Sequence, residues 1–260
     1  MGHALLVAAI SILVLMLVTW GISLAVHNAS IVDIVWGLGF VVVAWTVRLS
    51  TDQGDSARQW LLVAMTTIWG LRLAIHLFVR NHGNGEDFRY VRMRKHYGPR
   101  FGLISLATVF GLQGVLMFVV SLPVQLGQAD ATPSIGAIGI LGIVVWAVGM
   151  FFETVGDLQL TAFKKDPANT GKVMNLGLWR YTRHPTYFGD ACVWWGIGIV
   201  AAETGAGAWG LIGSAVMTFL LRRVSGVTLL EKSLVKRREG YAEYVATTSP
   251  FVPRPPRASV

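Results

Sequence analysis

Residues 4–26 read ALLVAAISILVLMLVTWGISLAV, an apolar run that contains no charged side chain. A helix needs about 20 such residues to cross the hydrocarbon core of a bilayer. Further apolar stretches of nearly this length follow along the chain. They are 31–49, 59–79, 102–126, 135–156, 187–203 and 206–222. The sequence therefore predicts an all-α membrane protein with seven transmembrane helices.

The composition supports this class, because the chain is 53% hydrophobic and only 14% charged, with a mean hydropathy of +0.56. A soluble domain needs a more polar surface. The first stretch is expected to stay in the protein, since nothing basic precedes it and it is too long for a signal peptide. Cys192 is the only cysteine, which excludes an intrachain disulfide and a cysteine-based metal site.

The 22 Lys and Arg residues cluster in alternate connections. Six lie in 80–100, five in 164–183 and eight from 222 onward, whereas 127–134 and 204–205 carry none. The positive-inside rule then predicts an outside N-terminus and a cytoplasmic C-terminus. This placement explains the net charge of +8 without nucleic acid. We expect an integral membrane protein whose active site faces the cytoplasm.

The chain is expected to form one domain, residues 1–260. An odd number of spans and the absence of an internal repeat disfavour a duplicated transporter. The long connections 80–101 and 161–186 contain aromatic residues, which favours ordered loops. A short amphipathic helix is predicted at about 226–246. The proline-rich end 249–256 cannot continue that helix, and we expect it to lie back on the protein.

Ionisable residues inside the spans fall near the predicted cytoplasmic end. Arg72 and His76 are four residues apart and so share a helix face. Because charges in hydrocarbon are costly, their convergence indicates a polar chamber for chemistry or binding. A structural ion-pair network and simple snorkelling of helix-end arginines remain alternatives. The set comprises Asp33, Arg72, His76, Glu153, Asp157, Asp190, Arg222 and Arg223.

The segment 169–190, NTGKVMNLGLWRYTRHPTYFGD, alternates cations with aromatic rings. Cations suit phosphates and rings stack on flat heterocycles, so a phosphorylated cofactor is one interpretation. Anchoring to anionic lipid is the other. The G-x-G-x-x-G pattern at 205–210 lies between two spans rather than after a strand, so it does not predict a dinucleotide site. The histidine spacing indicates no metal site.

Several motifs resemble the steroid 5-alpha-reductase-like family, particularly its uncharacterised bacterial branch of DUF1295-type membrane proteins. They are GLWRYTRHPTYFGD at 177–190 with WWG at 194–196, VDIVWG at 32–37, WGLRLAIH at 69–76, EDFRY at 86–90 and YAEYVATTSPFVP at 241–253. The resemblance implies a seven-helix reductase of the bacterial inner membrane that takes NADPH from the cytoplasm. Residues 1–101 would mainly line the cavity for a lipophilic substrate entering from the bilayer, and 102–260 would mainly hold the cofactor.

The implied reaction is hydride delivery to the β-carbon of an α,β-unsaturated carbonyl in a steroid- or lipid-like molecule. A carboxyl group near hydrocarbon favours its neutral form, so Asp33 could donate a hydrogen bond to the carbonyl oxygen. The chain lacks the Gln-Glu pair and the span-three Tyr of the animal steroid enzymes. The implied catalytic residues are Asp33, Trp36, Arg72 and His76. The implied cofactor-binding residues are Arg80, Asn81, Asp157, Lys164, Asn169, Trp179, Arg180, Tyr181, Arg183, His184, Tyr187, Asp190, Arg222, Tyr241 and Tyr244.

The alternative function is that of an S-adenosylmethionine-dependent methyltransferase like the isoprenylcysteine carboxyl enzymes. Those enzymes share the Arg-His-Pro-x-Tyr signature and a Tyr-x-x-Tyr tail. They usually place two adjacent glutamates before the tail, whereas Glu231 is a single acid here. This difference favours the reductase.

Overall fold

The computed structural model describes residues 1–51, 54–131, 135–224, 231, 234, 238 and 240–257. Within these ranges every regular element is helical. The chain divides into two compact units. Unit 1 is Met1–Gly139 with Ile197–Gly213, and unit 2 is Ile140–Gly196 with Ser214–Val260. The single domain, and the assignment of the substrate cavity to residues 1–101 and of cofactor binding to residues 102–260, stay predictions.

The helices of unit 1 match the first three predicted spans closely. Asp55 caps the third helix by accepting a hydrogen bond from the Arg58 amide. Asp87 caps the fourth in the same way, through the Arg89 amide. This fourth helix lies in the predicted loop 80–101, so the loop is ordered, as expected, and partly helical. The elements are α1 (Gly2–Ala25), α2 (Ile31–Ser50), α3 (Ser56–Asn81), α4 (Phe88–Tyr97), α5 (Phe101–Ser105), α6 (Leu112–Val120) and α7 (Leu122–Gln128).

Small residues allow α2 and α3 to pack closely. A Cβ atom on Gly37 would lie 2.5 Å from the carbonyl oxygen of Gly70, so any larger residue would push the two helices apart. Next to this crossing, Phe40 packs edge-on against Trp69, with 5.5 Å between ring centroids. Close backbone approach at small residues is a common basis of helix packing in membranes.

The predicted fourth span, 102–126, is interrupted. A π-helical turn, Leu106–Gly111, joins α5 to α6, and the helix stops at Val120. Ser121 follows and donates its hydroxyl hydrogen to the Met117 carbonyl oxygen. Leu122 then begins α7, a short helix with Pro123 in its first turn, which is almost entirely buried in unit 1. The break has a local cause, because proline has no amide hydrogen with which to continue the helical ladder.

The remaining helices are α8 (Ala137–Lys165), α9 (Pro185–Ala202), α10 (Leu211–Phe219), which continues as a π-helical turn over Leu220–Val224, and α11 (Tyr241–Thr247). Glycines join α8 to α9 in unit 2. A Cβ on Gly149 would lie 2.5 Å from the Val193 amide nitrogen, and one on Gly189 would lie 2.5 Å from that of Glu153.

Among the described residues, five helices are long and apolar enough to cross a membrane. They are Gly2–Ala25, Ile31–Ser50, Ser56–Asn81, Phe88–Val120 and Ala137–Lys165. The predicted sixth span corresponds to α9, which has 18 residues and a polar first half that contains Asp190. The predicted seventh corresponds to 211–224, which is short for a bilayer about 30 Å thick. The chain is thus all-helical and of the membrane class, while the count of seven spans and the orientation stay predictions.

The C-terminal end packs against the segment 181–183 inside unit 2. The Arg183 amide donates to the Ser249 carbonyl oxygen, and the Arg254 amide donates to that of Tyr181, both at 2.9 Å. Between them, the Thr182 hydroxyl donates to the Phe251 carbonyl oxygen at 2.8 Å. The expectation that the proline-rich end lies back on the protein is confirmed. Of the predicted tail helix, α11 lies among the described residues, and most of 225–239 lies outside them.

Candidate functional site

A carboxylate near the start of α2 is the centre of a polar network in unit 1. Asp33 Oδ1 accepts a hydrogen bond from the Tyr90 hydroxyl at 2.8 Å, and Oδ2 accepts one from Arg89 Nη2 at 2.6 Å. Gln113 Nε2 lies 3.4 Å from the Tyr90 oxygen, to which it donates. Arg89 also binds Asp87 at 2.9 Å. We call these five residues the Asp33 network.

The segment Glu86–Tyr90 adopts its position because it is tied to the turn before α2. The Ser30 hydroxyl oxygen accepts a hydrogen bond from the Asp87 amide at 2.6 Å. Glu86 accepts one from the Ala29 amide at 2.7 Å and forms an ion pair with Arg94 at 2.8 Å. Burial alone would raise the pKa of Glu86, but hydrogen bonds from Arg94 and the Ala29 amide outweigh it and lower that pKa. The motif EDFRY thus delivers Arg89 and Tyr90 to Asp33.

The other three predicted catalytic residues also lie in unit 1. Trp36 is half-buried, one turn after Asp33, and packs edge-on against Phe40 with 5.2 Å between ring centroids. Arg72 and His76 are half-buried on α3, one turn apart. Their catalytic roles stay predictions.

A second carboxylate cluster forms in unit 2, where Glu231 lies between Arg183 and His184. Arg183 Nε donates to Glu231 Oε1 at 2.7 Å, and Arg183 Nη2 donates to Oε2 at 3.1 Å. His184 Nε2 lies 3.1 Å from the same Oε1. Arg183 Nη1 donates to the carbonyl oxygens of Val245 and Thr248, at 2.8 and 2.5 Å. We call Arg183, His184 and Glu231 the Glu231 node.

The node joins the RHP motif to the C-terminal segment. Arg183 and His184 are almost fully buried, at 6% and 5% exposure. Burial would raise the pKa of Glu231, but hydrogen bonds from His184 and Arg183 outweigh it and lower that pKa. Any phosphate contact by Arg183 or His184 would have to share or replace their bonds to Glu231. Their predicted contact with a cofactor stays a prediction.

Aromatic residues surround the node. The ring of His184 stacks on that of Tyr187, with centroids 5.4 Å apart and planes 9° from parallel. The Tyr244 hydroxyl donates to the Trp179 carbonyl oxygen, and the Tyr241 ring packs against the Tyr244 ring at 5.8 Å. Burial raises the pKa of Tyr241 to about 12. These rings are therefore packed inside unit 2, where they hold α11 against the loop.

The other predicted cofactor residues differ in exposure. Asp157 and Asn169 are half-buried, and Asp190 is buried. Arg80 and Asn81 lie at the end of α3 in unit 1, where Arg80 Nε donates to Asn81 Oδ1 at 3.1 Å. Exposed cations and exposed rings are the kinds of side chain that contact the phosphates and the flat heterocycle of such a cofactor. The exposed members in unit 2 are Lys164, Arg180, Tyr181 and Arg222.

A family model with the description "Protein of unknown function (DUF1295)" matches residues 19–248. The chain belongs to the DUF1295 family. It is 34% identical over 79 residues to the "Probable O-methyltransferase ustE" of Ustilaginoidea virens, which covers 30% of this chain and 26% of that protein. It is 23% identical over 217 residues to the "Uncharacterized protein C594.04c" of Schizosaccharomyces pombe, over 72% and 62% of the two chains.

No solved structure matches this DUF1295 chain. The chain spans 26% and 62% of the lengths of these two relatives. In the part of the chain that the structure describes, no three His, Cys, Asp or Glu side chains are placed to hold a metal ion. Cys192 is a half-buried free thiol.

Sequence reasoning missed five residues of these clusters, which are Asp87, Arg89, Tyr90, Gln113 and Glu231. EDFRY resembles a family motif, but nothing local in it indicates a partner 57 residues earlier in the chain. In the sequence, Glu231 stands out only as a departure from the methyltransferase pattern. Its signal was an isolated acid within a strongly basic stretch.

Sequence reasoning also placed almost all polar groups at one end of the spans. The structure buries a second polar set at the opposite end of α3 and in α7. Gln59 Nε2 donates to the Gln128 carbonyl oxygen at 3.0 Å, and Gln128 Nε2 donates to that of Ala44 at 3.2 Å. Arg58 and Gln125 are fully buried. Glutamines were overlooked because they carry no charge, and Arg58 because it was assigned to a loop.

Proposed function

We propose that this protein is a membrane-embedded, NADPH-dependent reductase of a C=C bond conjugated to a carbonyl group in a lipophilic substrate. The observation that carries the proposal is the hydrogen bond of Tyr90 to Asp33, which holds a phenolic hydrogen-bond donor next to a carboxylate whose charge is balanced by Arg89. Membership of the DUF1295 family and the steroid-reductase-like motifs support it. The proposal includes seven transmembrane spans, of which α9 and residues 211–224 form the last two. It also includes an inner-membrane location, with the active site on the cytoplasmic side.

The Asp33 network suits the charge change of this reaction. When a hydride reaches the β-carbon of an enone, an electron pair moves onto the carbonyl oxygen and forms an enolate. A hydrogen-bond donor next to that oxygen stabilises the developing charge. Because both oxygens of Asp33 already accept hydrogen bonds, we assign the donor role to Tyr90, whose hydroxyl can rotate from Asp33 to the substrate. Asp33 then acts as a positioning residue, with its charge compensated by Arg89.

Unit 2 offers the groups for a nucleotide. Lys164, Arg180 and Arg222 would hold the phosphates of NADPH, and the exposed ring of Tyr181 would stack on a heterocycle. The bound cofactor would supply the hydride. The Glu231 node would keep the RHP loop and α11 in place, so that these exposed groups stay ordered.

The test uses purified protein in detergent, titrated separately with NADPH and with S-adenosylmethionine. The proposal predicts saturable NADPH binding and NADPH oxidation that depends on a long-chain α,β-unsaturated ketone. Arg180→Gln should weaken NADPH binding about tenfold, because an exposed charge-assisted phosphate contact is lost. The matched control is Arg257→Gln, an exposed arginine near the chain end. Saturable binding of S-adenosylmethionine with no NADPH binding would refute the reductase.

A second candidate function is methyl transfer from S-adenosylmethionine. The observation in its favour is the similarity to a relative named as a probable O-methyltransferase, which is limited to 30% of this chain. Arg183 and His184 of the Glu231 node belong to the shared Arg-His-Pro motif. Glu231 is a single acid at the place where those methyltransferases usually have two adjacent glutamates. The same pair of titrations distinguishes the two functions, because each predicts binding of a different cofactor.

A further inference from the structure

A cavity of about 300 Å³ opens in unit 1 beside the turn that precedes α2. It lies between this turn, the end of α3 and the connection that leads to α4. Its volume is at the lower end of the range for small-molecule sites and corresponds to roughly ten water molecules. One wall is apolar, formed by Ile31, Ile34 and Phe78, and the other is polar. The cavity is therefore amphipathic.

Three asparagines in the polar wall retain hydrogen-bonding capacity. Asn28 Oδ1 accepts from the Ser30 amide at 2.9 Å, which leaves its amide hydrogens for a ligand. Asn81 Oδ1 accepts from Arg80 Nε at 3.1 Å, which also leaves its amide hydrogens. Asn84 Nδ2 donates to the Arg80 carbonyl oxygen at 3.0 Å, which leaves its oxygen as an acceptor. Together they offer both donors and an acceptor.

The charges in the wall are already matched by protein groups. Glu86 is paired with Arg94 at 2.8 Å, and Asp87 with Arg89 at 2.9 Å. His82 adds an imidazole, which can donate or accept a hydrogen bond. A charged ligand group would enter this wall without a counter-charge, and burial of an unpaired charge is costly. An uncharged oxygen, as in a hydroxyl or carbonyl group, matches the free donors and the acceptor.

The apolar wall continues along α3. Ile75, Phe78 and Val79 lie on one helix face, at i, i+3 and i+4, and are 62%, 54% and 69% exposed. This stripe belongs to one of the five helices that are long enough to span a membrane. It gives a hydrocarbon chain a continuous apolar surface that leads away from the cavity.

We propose that the cavity binds the uncharged, oxygen-bearing end of an amphiphilic lipid, while the hydrocarbon chain of the lipid lies along the stripe of Ile75, Phe78 and Val79. The inference rests on the proposed function and names its substrate class. Asp87 belongs both to the cavity wall and to the Asp33 network, and Ser30 in the wall holds the Asp87 amide. A lipid in this cavity is thus held next to the Asp33 network, which contains Tyr90, the proposed hydrogen-bond donor.

The test uses a hexadecanol that carries a photoreactive diazirine, compared with the same chain ending in a carboxylate or an ammonium group. Gly85 lines the cavity, and a Cβ atom there would meet nothing within 4 Å, so Gly85→Leu fills the space without a clash. The matched control is Gly205→Leu, where a Cβ would also meet nothing within 4 Å. Purified full-length protein in lipid nanodiscs is irradiated with each probe, and the labelled peptides are identified by mass spectrometry.

We expect the hydroxyl probe to label residues 75–87 of the unsubstituted protein and of Gly205→Leu, and labelling of Gly85→Leu to fall about tenfold. Equal labelling of Gly85→Leu, or equal or stronger labelling by the carboxylate or ammonium probe, would overturn the proposal. Labelling requires no cofactor. Selective labelling without NADPH oxidation would therefore refute the reductase and keep the lipid site, whereas enone-dependent NADPH oxidation that Gly85→Leu leaves unchanged would refute the site alone.

Discussion

The Asp33 network and the Glu231 node are built alike, since each places one carboxylate between an arginine and a second donor. They differ in burial. The side chain of Arg183 in the node is 7% exposed and also binds two carbonyl oxygens, whereas that of Arg89 in the network is 52% exposed. The second donor is an imidazole in the node and a phenolic hydroxyl in the network. We therefore expect the buried Glu231 node, whose arginine donates from every side-chain nitrogen, to stabilise the fold, and the partly exposed Asp33 network, with its rotatable hydroxyl, to be available for chemistry.

The largest effect on stability is expected at the Glu231 node. Arg183→Met removes a buried charge pair and the donors to two carbonyl oxygens, so it should lower the free energy of unfolding by about 3–5 kcal/mol. Chemical denaturation in detergent micelles measures this change. The control is Arg254→Met, which replaces an exposed arginine of the C-terminal segment that packs against residues 181–183, and its free energy of unfolding should change little. A small change in the free energy of unfolding of Arg183→Met would show that the Glu231 node does not stabilise the fold.

A substitution in the Asp33 network should instead lower the activity strongly and the stability only slightly. Asp33→Asn keeps the shape of the side chain but removes the charge that positions Tyr90, so enone-dependent kcat should fall about a hundredfold. The free energy of unfolding should change by no more than about 1 kcal/mol, because Arg89 can turn to solvent. Asp55→Asn, which changes a helix cap elsewhere in unit 1, is the control. An unchanged kcat in Asp33→Asn would show that the Asp33 network has no role in catalysis.

Acid should release the C-terminal segment through Glu231. Its pKa in the folded protein lies below the ordinary value of 4.5. The stabilisation is therefore present above about pH 4.5 and is lost as the pH falls through the lowered pKa. Limited proteolysis of the C-terminal segment across this range should show increasing cleavage below pH 4.5. Glu231→Gln should be cleaved more readily at neutral pH and lose this part of the pH dependence, whereas exposed Glu243→Gln should behave like the unsubstituted protein.

The smallest effect is expected for Arg89. Because its side chain is 52% exposed, its ion pair with Asp33 is screened by solvent. Arg89→Gln should lower the free energy of unfolding by only about 0–1 kcal/mol. Arg92→Gln, an exposed cation of the same helix, is the control. A loss as large as that of Arg183→Met would mean that the two clusters have the same structural role.

The long apolar helices were predictable because twenty apolar residues in a row have few other stable arrangements. The first three predicted spans agree with α1, α2 and α3 to within a few residues. The break at Ser121 was missed, since Pro123 lies near the end of an apolar run, where a proline is easily read as the end of a span. The short helices α4 and α7 were missed because short amphipathic or buried pieces have weak periodicity.

The candidate clusters were harder to predict, because they depend on pairings between distant positions. Asp33 and Tyr90 are separated by 57 positions, and Arg183 and Glu231 by 48. The sequence indicated that the charge of Asp33 would be energetically costly in hydrocarbon and that the RHP loop is rich in cations. It contained no information on which partner compensates each charge, since that depends on how the connections fold over the helices.

The most direct test of the account is the enone-dependent oxidation of NADPH by Tyr90→Phe, measured beside Tyr97→Phe. Tyr97 lies at the end of the same helix, and its ring contacts His96. The account predicts that Tyr90→Phe lowers kcat about 10²- to 10³-fold without unfolding the protein, because the donor to the enolate oxygen is lost, and that Tyr97→Phe keeps its activity. Equal activity of both variants, or no NADPH oxidation by the unsubstituted protein, would contradict it.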